Sequence, residues 1–243
     1  MKDFPRIRQM GGRSILIEFE PAINENLLEK LLALKKIIQN YLLKEKVEVI
    51  NAYNSLLINY SSVIEDVYGE VSRLKNLINE ANIQNKIERS LYHIPVCYDD
   101  KFGLDMNFLS AEKDLSKTEI IDLHSEPIYT VYFIGFLPGF LYLGGLNKKL
   151  HCSRKYQPRL SVEKGAVGIG EQQTGIYPKN SPGGWQIIGN SPVALFDKNS
   201  IPPCEISAGD KIKFYSIGLK EHQQISEEVQ NGTFQFKAER YDG

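Results

Sequence analysis

The chain has 243 residues, enough for one large domain or two compact ones that each bury a core. Hydrophobic residues make up 42% and charged residues 24%, a balance that excludes wholesale disorder. The 29 basic and 30 acidic side chains leave a net charge of −1, and no stretch concentrates the positive charge that a nucleic-acid partner selects for.

Glycine and proline divide the chain. Residues 1–90 hold three glycines and two prolines, whereas residues 91–243 hold sixteen and nine, so long elements should give way to short strands and many turns. The expected domains are residues 1–85, an α+β domain, and residues 86–243, a mainly-β domain.

Residues 4–10 and 13–19 read as strands around a Gly11-Gly12 turn. Ile23, Leu27, Leu31, Leu34, Ile38 and Leu42 then recur at helical spacing over residues 23–43. Residues 47–52 and 55–60 are strands again, joined at Tyr53-Asn54. Ser62-Val63-Ile64-Glu65 has the capping-box pattern and should open a helix that runs to about Asn79. The resulting order, ββαββα, suits two helices on one face of an antiparallel sheet.

Polar residues 82–90 form the expected linker, and residues 92–98 the next strand. Ser116-Lys117-Thr118-Glu119 offers a second capping box, for a helix ending near His124-Ser125. Residues 127–147 carry no charge, and by length alone could span a membrane. Gly135, Pro138, Gly139, Gly144 and Gly145 interrupt any helix there, while residues 128–133 are β-branched or aromatic, so a buried strand followed by a tight loop is expected. Further strands follow near Val162 and over residues 166–169, 185–188, 193–196 and 211–215, with a turn at Gly209-Asp210. So many short strands point to a closed or nearly closed β-barrel.

Cys97, Cys152 and Cys204 lie far apart, without a CxxC pair, so neither a disulfide framework nor a zinc site is expected. His93 and Cys97 have a spacing that would suit two ligands on a helix, but Pro95 and Val96 favour a strand; no metal is expected in this chain. Met1 to Arg6 leads into no apolar h-region, and a cytoplasmic location is the expectation. A Gly-x-x-x-x-Gly-Lys-Ser/Thr phosphate loop, a Gly-x-Ser-x-Gly elbow and a His-Glu-x-x-His motif are all absent. Gly165, Gly168 and Gly170 do not form the dinucleotide fingerprint and instead suggest close passage of barrel backbones.

Eleven of the nineteen glycines fall between Gly135 and Gly189. They sit in three blocks: Gly135-Phe-Leu-Pro-Gly-Phe-Leu-Tyr-Leu-Gly-Gly145, Gln172-Gln-Thr-Gly-Ile-Tyr-Pro178 and Ser181-Pro-Gly-Gly-Trp-Gln-Ile-Ile-Gly189. Their backbone amides either donate to a carboxylate or amide oxygen, or serve only barrel turns with Trp185 as a core plug. His124 falls at a helix C-terminus, where the dipole favours its protonated form; it is either a general base or a satisfied structural histidine. Arg159 could grip a carboxylate with its planar fork or form a surface ion pair. His93, His151 and His222 have no evident partner in the sequence.

These blocks, with His124…Tyr132, Pro158-Arg159, Ile94-Pro-Val-Cys-Tyr98, Phe102-Gly-Leu-Asp105 and Ala208-Gly-Asp-Lys-Ile-Lys-Phe214, resemble the allophanate hydrolase subunit 1 family, which includes KipI and the B component of bacterial 5-oxoprolinase. The resemblance spans nearly the whole chain and is densest over residues 91–215. Gly12-Arg13 and Asn190-Ser191 depart from it, standing where the family often has Gly-Asp and Arg-Thr.

The resemblance implies an α+β N-terminal domain followed by a cyclophilin-like β-barrel. It implies a subunit 2 partner of the KipA type (the C component of 5-oxoprolinase), and the A component as a third member. The complex would open 5-oxoproline to glutamate with ATP that this chain does not bind alone. His124 and Arg159 would be the catalytic side chains. Gly135, Pro138, Gly139, Gln173, Thr174, Ser181, Gly183, Gly184 and Trp185 would bind substrate. Two other readings follow from the same family: a KipI-type inhibitor of a histidine kinase, and a member of a urea carboxylase or allophanate-type complex. Prolyl isomerisation rests on the barrel alone, and fold does not carry function.

Overall fold

The computed structural model describes residues 4–81 and 88–242, in two compact units, Met1–Ile87 and Glu88–Gly243. Residues 82–87 of the expected linker lie outside the described residues.

The first unit runs β1 (Arg6–Gln9), β2 (Ser14–Glu18), α1 (Glu25–Tyr41), β3 (Glu48–Asn51), β4 (Ser55–Asn59) and α2 (Val67–Glu80). Its four strands form an antiparallel sheet in the order β1-β2-β4-β3. Side chains alternate across a strand, so Ile15 and Ile17 of β2, Leu56 and Ile58 of β4 and Val49 of β3 share one face. That face closes on Leu31, Leu34 and Ile38 of α1 and Leu74 and Ile78 of α2.

Helix α1 begins where the Asn24 side chain accepts from the Leu27 amide at 2.8 Å. Helix α2 corrects the expectation from Ser62-Val63-Ile64-Glu65. Its cap is Asp66, whose carboxylate accepts from the Gly69 amide at 2.9 Å, and the helix starts at Val67. The Ile64 amide donates to the Gly12 carbonyl at 3.0 Å, which ties residues 62–65 to the first hairpin and postpones the helix.

The second unit runs β5 (Ser90–Cys97), α3 (Met106–Lys113), α4 (Lys117–Ser125), β6 (Ile128–Ile134), β7 (Leu141–Gly144), β8 (Arg159–Val162), β9 (Ala166–Gly170), β10 (Gln173–Ile176), β11 (Ser181–Gly183), β12 (Gln186–Asn190), β13 (Lys211–Ile217), α5 (Leu219–Gln230) and β14 (Lys237–Arg240). Strands β5, β13, β6, β7, β10, β9 and β12 follow one another around a barrel, which closes where Asn190 of β12 pairs with Cys97 of β5. The β5–β13 pair is parallel and the other pairs are antiparallel. Strand β14 extends β5 outside the ring, and β8 pairs with β11 as a separate ribbon. The interior holds Ile94, Val96, Tyr129, Val131, Leu141, Leu143, Val167, Ile169, Ile188, Ile212 and Phe214, in one core with Ile120 of α4 and Met106 and Leu109 of α3.

The second capping box is present in full: the Ser116 side chain caps α4 while Glu119 reaches back to the Ser116 amide. The uncharged run folds as β6, a tight loop and β7, and no helix among the described residues is long and apolar enough to cross a membrane. Residues 193–196 were expected as a strand, but none forms there. Pro192 lacks an amide donor, and Val193 and Leu195 are buried in the barrel core without ladder pairing. Helices α3 and α5 had no counterpart in the sequence reading.

Replacing Asp66 with Ala should destabilise the first unit by about 1 kcal/mol, while Ser62→Ala should stay within about 0.5 kcal/mol of wild type. Urea denaturation of the two variants checks the position of the cap.

Candidate functional site

Trp185 lies directly before β12 and is 5% exposed. Its indole rests on the outer surface of β9 and β10, where glycine makes room. A Cβ on Gly170 would lie 2.5 Å from the indole Nε1, and one on Gly175 would lie 3.2 Å from Cζ3 and 2.7 Å from the Leu141 carbonyl oxygen. No other residue type tolerates such contacts without displacing the ring. Phe140 meets Trp185 edge-to-face at 5.4 Å, and Tyr177 meets Phe140 in the same way at 5.3 Å. Val162, Ala166 and Ile187 complete this second apolar cluster, outside the barrel.

A cavity of about 280 Å³ opens over the cluster. Phe136, Phe140, Tyr142, Tyr177 and Trp185 form its aromatic walls, and Pro158, Pro182, Gly183 and Gly184 its rim. Arg154 and Lys155 also line it. The Arg154 guanidinium lies 5.9 Å from the Trp185 ring centroid, and no described carboxylate pairs with it. Burial pushes the Tyr142 and Tyr177 hydroxyls up from their ordinary pKa. The lining therefore combines flat apolar faces with positive charge, and among the described residues it includes no carboxylate and no histidine.

Asp105, 4% exposed, holds the cavity's cationic wall in place. Its carboxylate accepts two parallel bonds from the Arg159 guanidinium, each 2.8 Å, one from the Lys155 ammonium at 3.0 Å and one from the Ile187 amide at 2.7 Å. Burial pushes this carboxyl up, yet Arg159, the Ile187 amide and Lys155 together hold it below its ordinary value. The fork of Arg159 is thus filled by a carboxylate of its own chain, and the ion pair is largely buried rather than on the surface.

His124 is fully buried at the end of α4. Its Nδ1 lies 2.7 Å from the Tyr98 hydroxyl and its Nε2 2.8 Å from the Thr174 hydroxyl, with the ring stacked on Phe214 at 4.8 Å. Thr174 gives its one hydroxyl proton to the Gly168 carbonyl at 3.0 Å, so His124 donates from Nε2 and accepts from Tyr98 at Nδ1. Burial lowers its pKa from 6.5 to about 3. The expectation that the helix dipole favours the protonated form is therefore corrected: desolvation outweighs the dipole, and the ring is neutral.

Of the residues singled out in the sequence, Gly183, Gly184 and Trp185 line the cavity. Gly135, Pro138 and Gly139 belong to the β6–β7 loop, whose Phe136 reaches the cavity although they do not line it. Ser181 is buried and donates to the Pro182 carbonyl at 3.2 Å. Thr174 points into the barrel core, and Gln173, on the opposite face of β10, has a buried side-chain oxygen with no hydrogen-bond partner. Asn190 accepts from the His222 ring at 2.9 Å and donates to the Lys164 carbonyl at 2.9 Å. His93 pairs with Glu239 at 3.0 Å. Among the described residues no three His, Cys, Asp or Glu side chains come together as a metal site.

Sequence reasoning missed Arg154, Lys155 and Asp105. The adjacent basic pair shortly before Pro158-Arg159 was the available signal for the first two, and the Phe102-Gly-Leu-Asp105 block for the third.

The family model described as "Carboxyltransferase domain, subdomain C and D" matches residues 5–206. The B component of the Bacillus subtilis 5-oxoprolinase is 36% identical, over 92% of this chain and 97% of its own length. That of Haemophilus influenzae is 44% identical, over 72% and 81%. Among solved structures, TTHA0988 superposes with a TM-score of 0.72 at 30% identity, covering 84% of this chain and 40% of that one. The Kluyveromyces lactis urea carboxylase, at 20% identity and a TM-score of 0.81, shares the fold over 97% of this chain and 24% of its own. The chain thus spans less than half the length of both solved proteins.

Two outcomes follow from the buried groups. His124 stays neutral in the fold while the unfolded chain protonates below about pH 6.5, so stability is full above that pH and falls on acidification. Replacing it with Gln should flatten the acid limb of stability by about 1.4 kcal/mol per pH unit between pH 6 and 4, measured by urea denaturation across pH. Asp105→Asn leaves Arg159 and Lys155 facing a neutral amide and should cost about 3–5 kcal/mol at pH 7.

Proposed function

Because the chain belongs to the carboxyltransferase subdomain C and D family, we propose that it is the B component of a heteromeric, ATP-dependent 5-oxoprolinase that opens 5-oxoproline to glutamate. The observation that carries this reading is the cavity over Trp185: flat aromatic walls, glycine backbone and one cation with no carboxylate partner among the described residues, in a volume of about 280 Å³. That volume suits a small metabolite and is at the low end for organic ligands. The relatives named as B components of 5-oxoprolinase, matched over most of their length, support the same substrate class.

In this reading a planar lactam lies against Trp185 and Phe140, and its carboxylate meets the Arg154 guanidinium. Lys155, held by Asp105, adds positive potential where negative charge develops on the amide oxygen. Backbone amides of Gly183 and Gly184 are further donors at the rim. His124 and Arg159 act as structural supports, because one is sealed in the barrel core and the other is held by Asp105.

The described residues that line this cavity include no histidine and no carboxylate, the side chains that most often serve as general acid or base. In this reading the acid, the base and the nucleotide site belong to the A and C components. The lack of a phosphate loop in this sequence supports the same division of labour.

ATP-dependent glutamate release from 5-oxoproline should appear with the co-purified assembly and vanish when this chain is omitted. In that assembly Arg154→Ala should raise KM for 5-oxoproline about 10- to 100-fold with little change in kcat, as expected for loss of a charge-assisted contact made equally in ground and transition states. A verified assembly that releases no glutamate would remove 5-oxoproline as the substrate.

A further inference from the structure

Phe136 combines three properties that packing alone does not require. Its backbone has φ +65°, the left-handed region that costs a bulky residue of this kind about 1 kcal/mol or more. Its side chain is 61% exposed, so burial of the ring does not offset that cost. It nevertheless lines the aromatic cavity, touching Phe140 edge-to-face at 5.6 Å. The loop around it is tightly built: the Leu137 amide donates to the Gly135 carbonyl at 2.8 Å, the Phe140 amide to the Leu137 carbonyl at 3.0 Å, and the Gly135 amide to the Phe140 carbonyl at 3.2 Å. The backbone thereby holds this one exposed ring among the residues that line the cavity, which also include Arg154 and Trp185.

We infer that Phe136 is a specificity-determining cover of the cavity. Its ring limits access to Trp185 and supplies the outer flat face against which a planar, amide-bearing anion is held. Glycine would fit the backbone better at this position, so the phenyl ring is there for the mouth and not for the turn. A non-planar carboxylate of the same charge would meet Arg154 but not lie flat beneath this ring. The cover stands on the loop geometry alone; only the identity of the ligand rests on the function proposed above.

Trp185 is the only tryptophan in the chain, so its fluorescence reports on this cavity without a label. Acrylamide quenching of the full chain should be weak in wild type. It should rise about two-fold or more in Phe136→Ala and Phe136→Gly, as for an opened lid, and stay at the wild-type level in Phe136→Tyr. Phe136→Gly should keep or raise Tm, because it relieves the left-handed backbone, which separates opening of the mouth from loss of folding. An unchanged quenching constant in both the Ala and Gly variants overturns the cover. In the assembled complex Phe136→Ala should raise KM for 5-oxoproline about 2- to 10-fold with kcat retained, the worth of one aromatic contact. Raised quenching with an unchanged KM would keep the cover and remove 5-oxoproline as the ligand of this cavity.

Discussion

A single buried carboxylate joins three segments that are distant in sequence. Asp105, at the start of α3, accepts from Lys155 in the loop before β8, from Arg159 at the start of β8 and from the backbone of Ile187 in β12. Burying that charge is costly, and only the four bonds offset it. Geometry follows from this constraint. The bidentate pair ties down the start of β8, the Ile187 contact ties down β12 just after Trp185, and the Lys155 ammonium is held on the same carboxylate.

The cavity depends on a second constraint, the flat seat of Trp185. Gly170 and Gly175 remove the side chains that would otherwise lift the indole off the barrel, and Phe140 and Tyr177 hold it edge-on. The same arrangement leaves the outer surface of the barrel apolar and concave at one place, with positive charge at its edge. Aromatic faces and the Arg154 guanidinium are thereby brought together at one place on the barrel.

Much of the site was legible in the sequence, though by type rather than by role. The clustering of glycine about Trp185 announced close backbone approach, and that approach is the seat of the indole. Both roles held open for Arg159 involved a carboxylate; the partner turned out to be Asp105, because an ion pair between residues 54 positions apart leaves no periodic trace. His124 misled for a related reason. Its place at a helix end is local and visible, whereas its complete burial between Tyr98, Thr174 and Phe214 comes from three other elements, and desolvation is the larger effect. The Ser62 capping box failed similarly: a pattern of four residues was present, but the Ile64 amide was already engaged by Gly12.

By itself the sequence determined what depends on neighbours along the chain. The two-part composition, the strand and helix periods, the capping box at Ser116 and the glycine-rich blocks all reflect interactions within a few residues. Tertiary structure alone decided which charges are paired inside the protein and which line the cavity. Arg154 and Arg159 are both arginines in one short segment, yet Arg159 is paired with Asp105 whereas Arg154 lines the cavity with no carboxylate partner among the described residues. Coulomb attraction acts through space, and the fold alone sets the distances over which it acts.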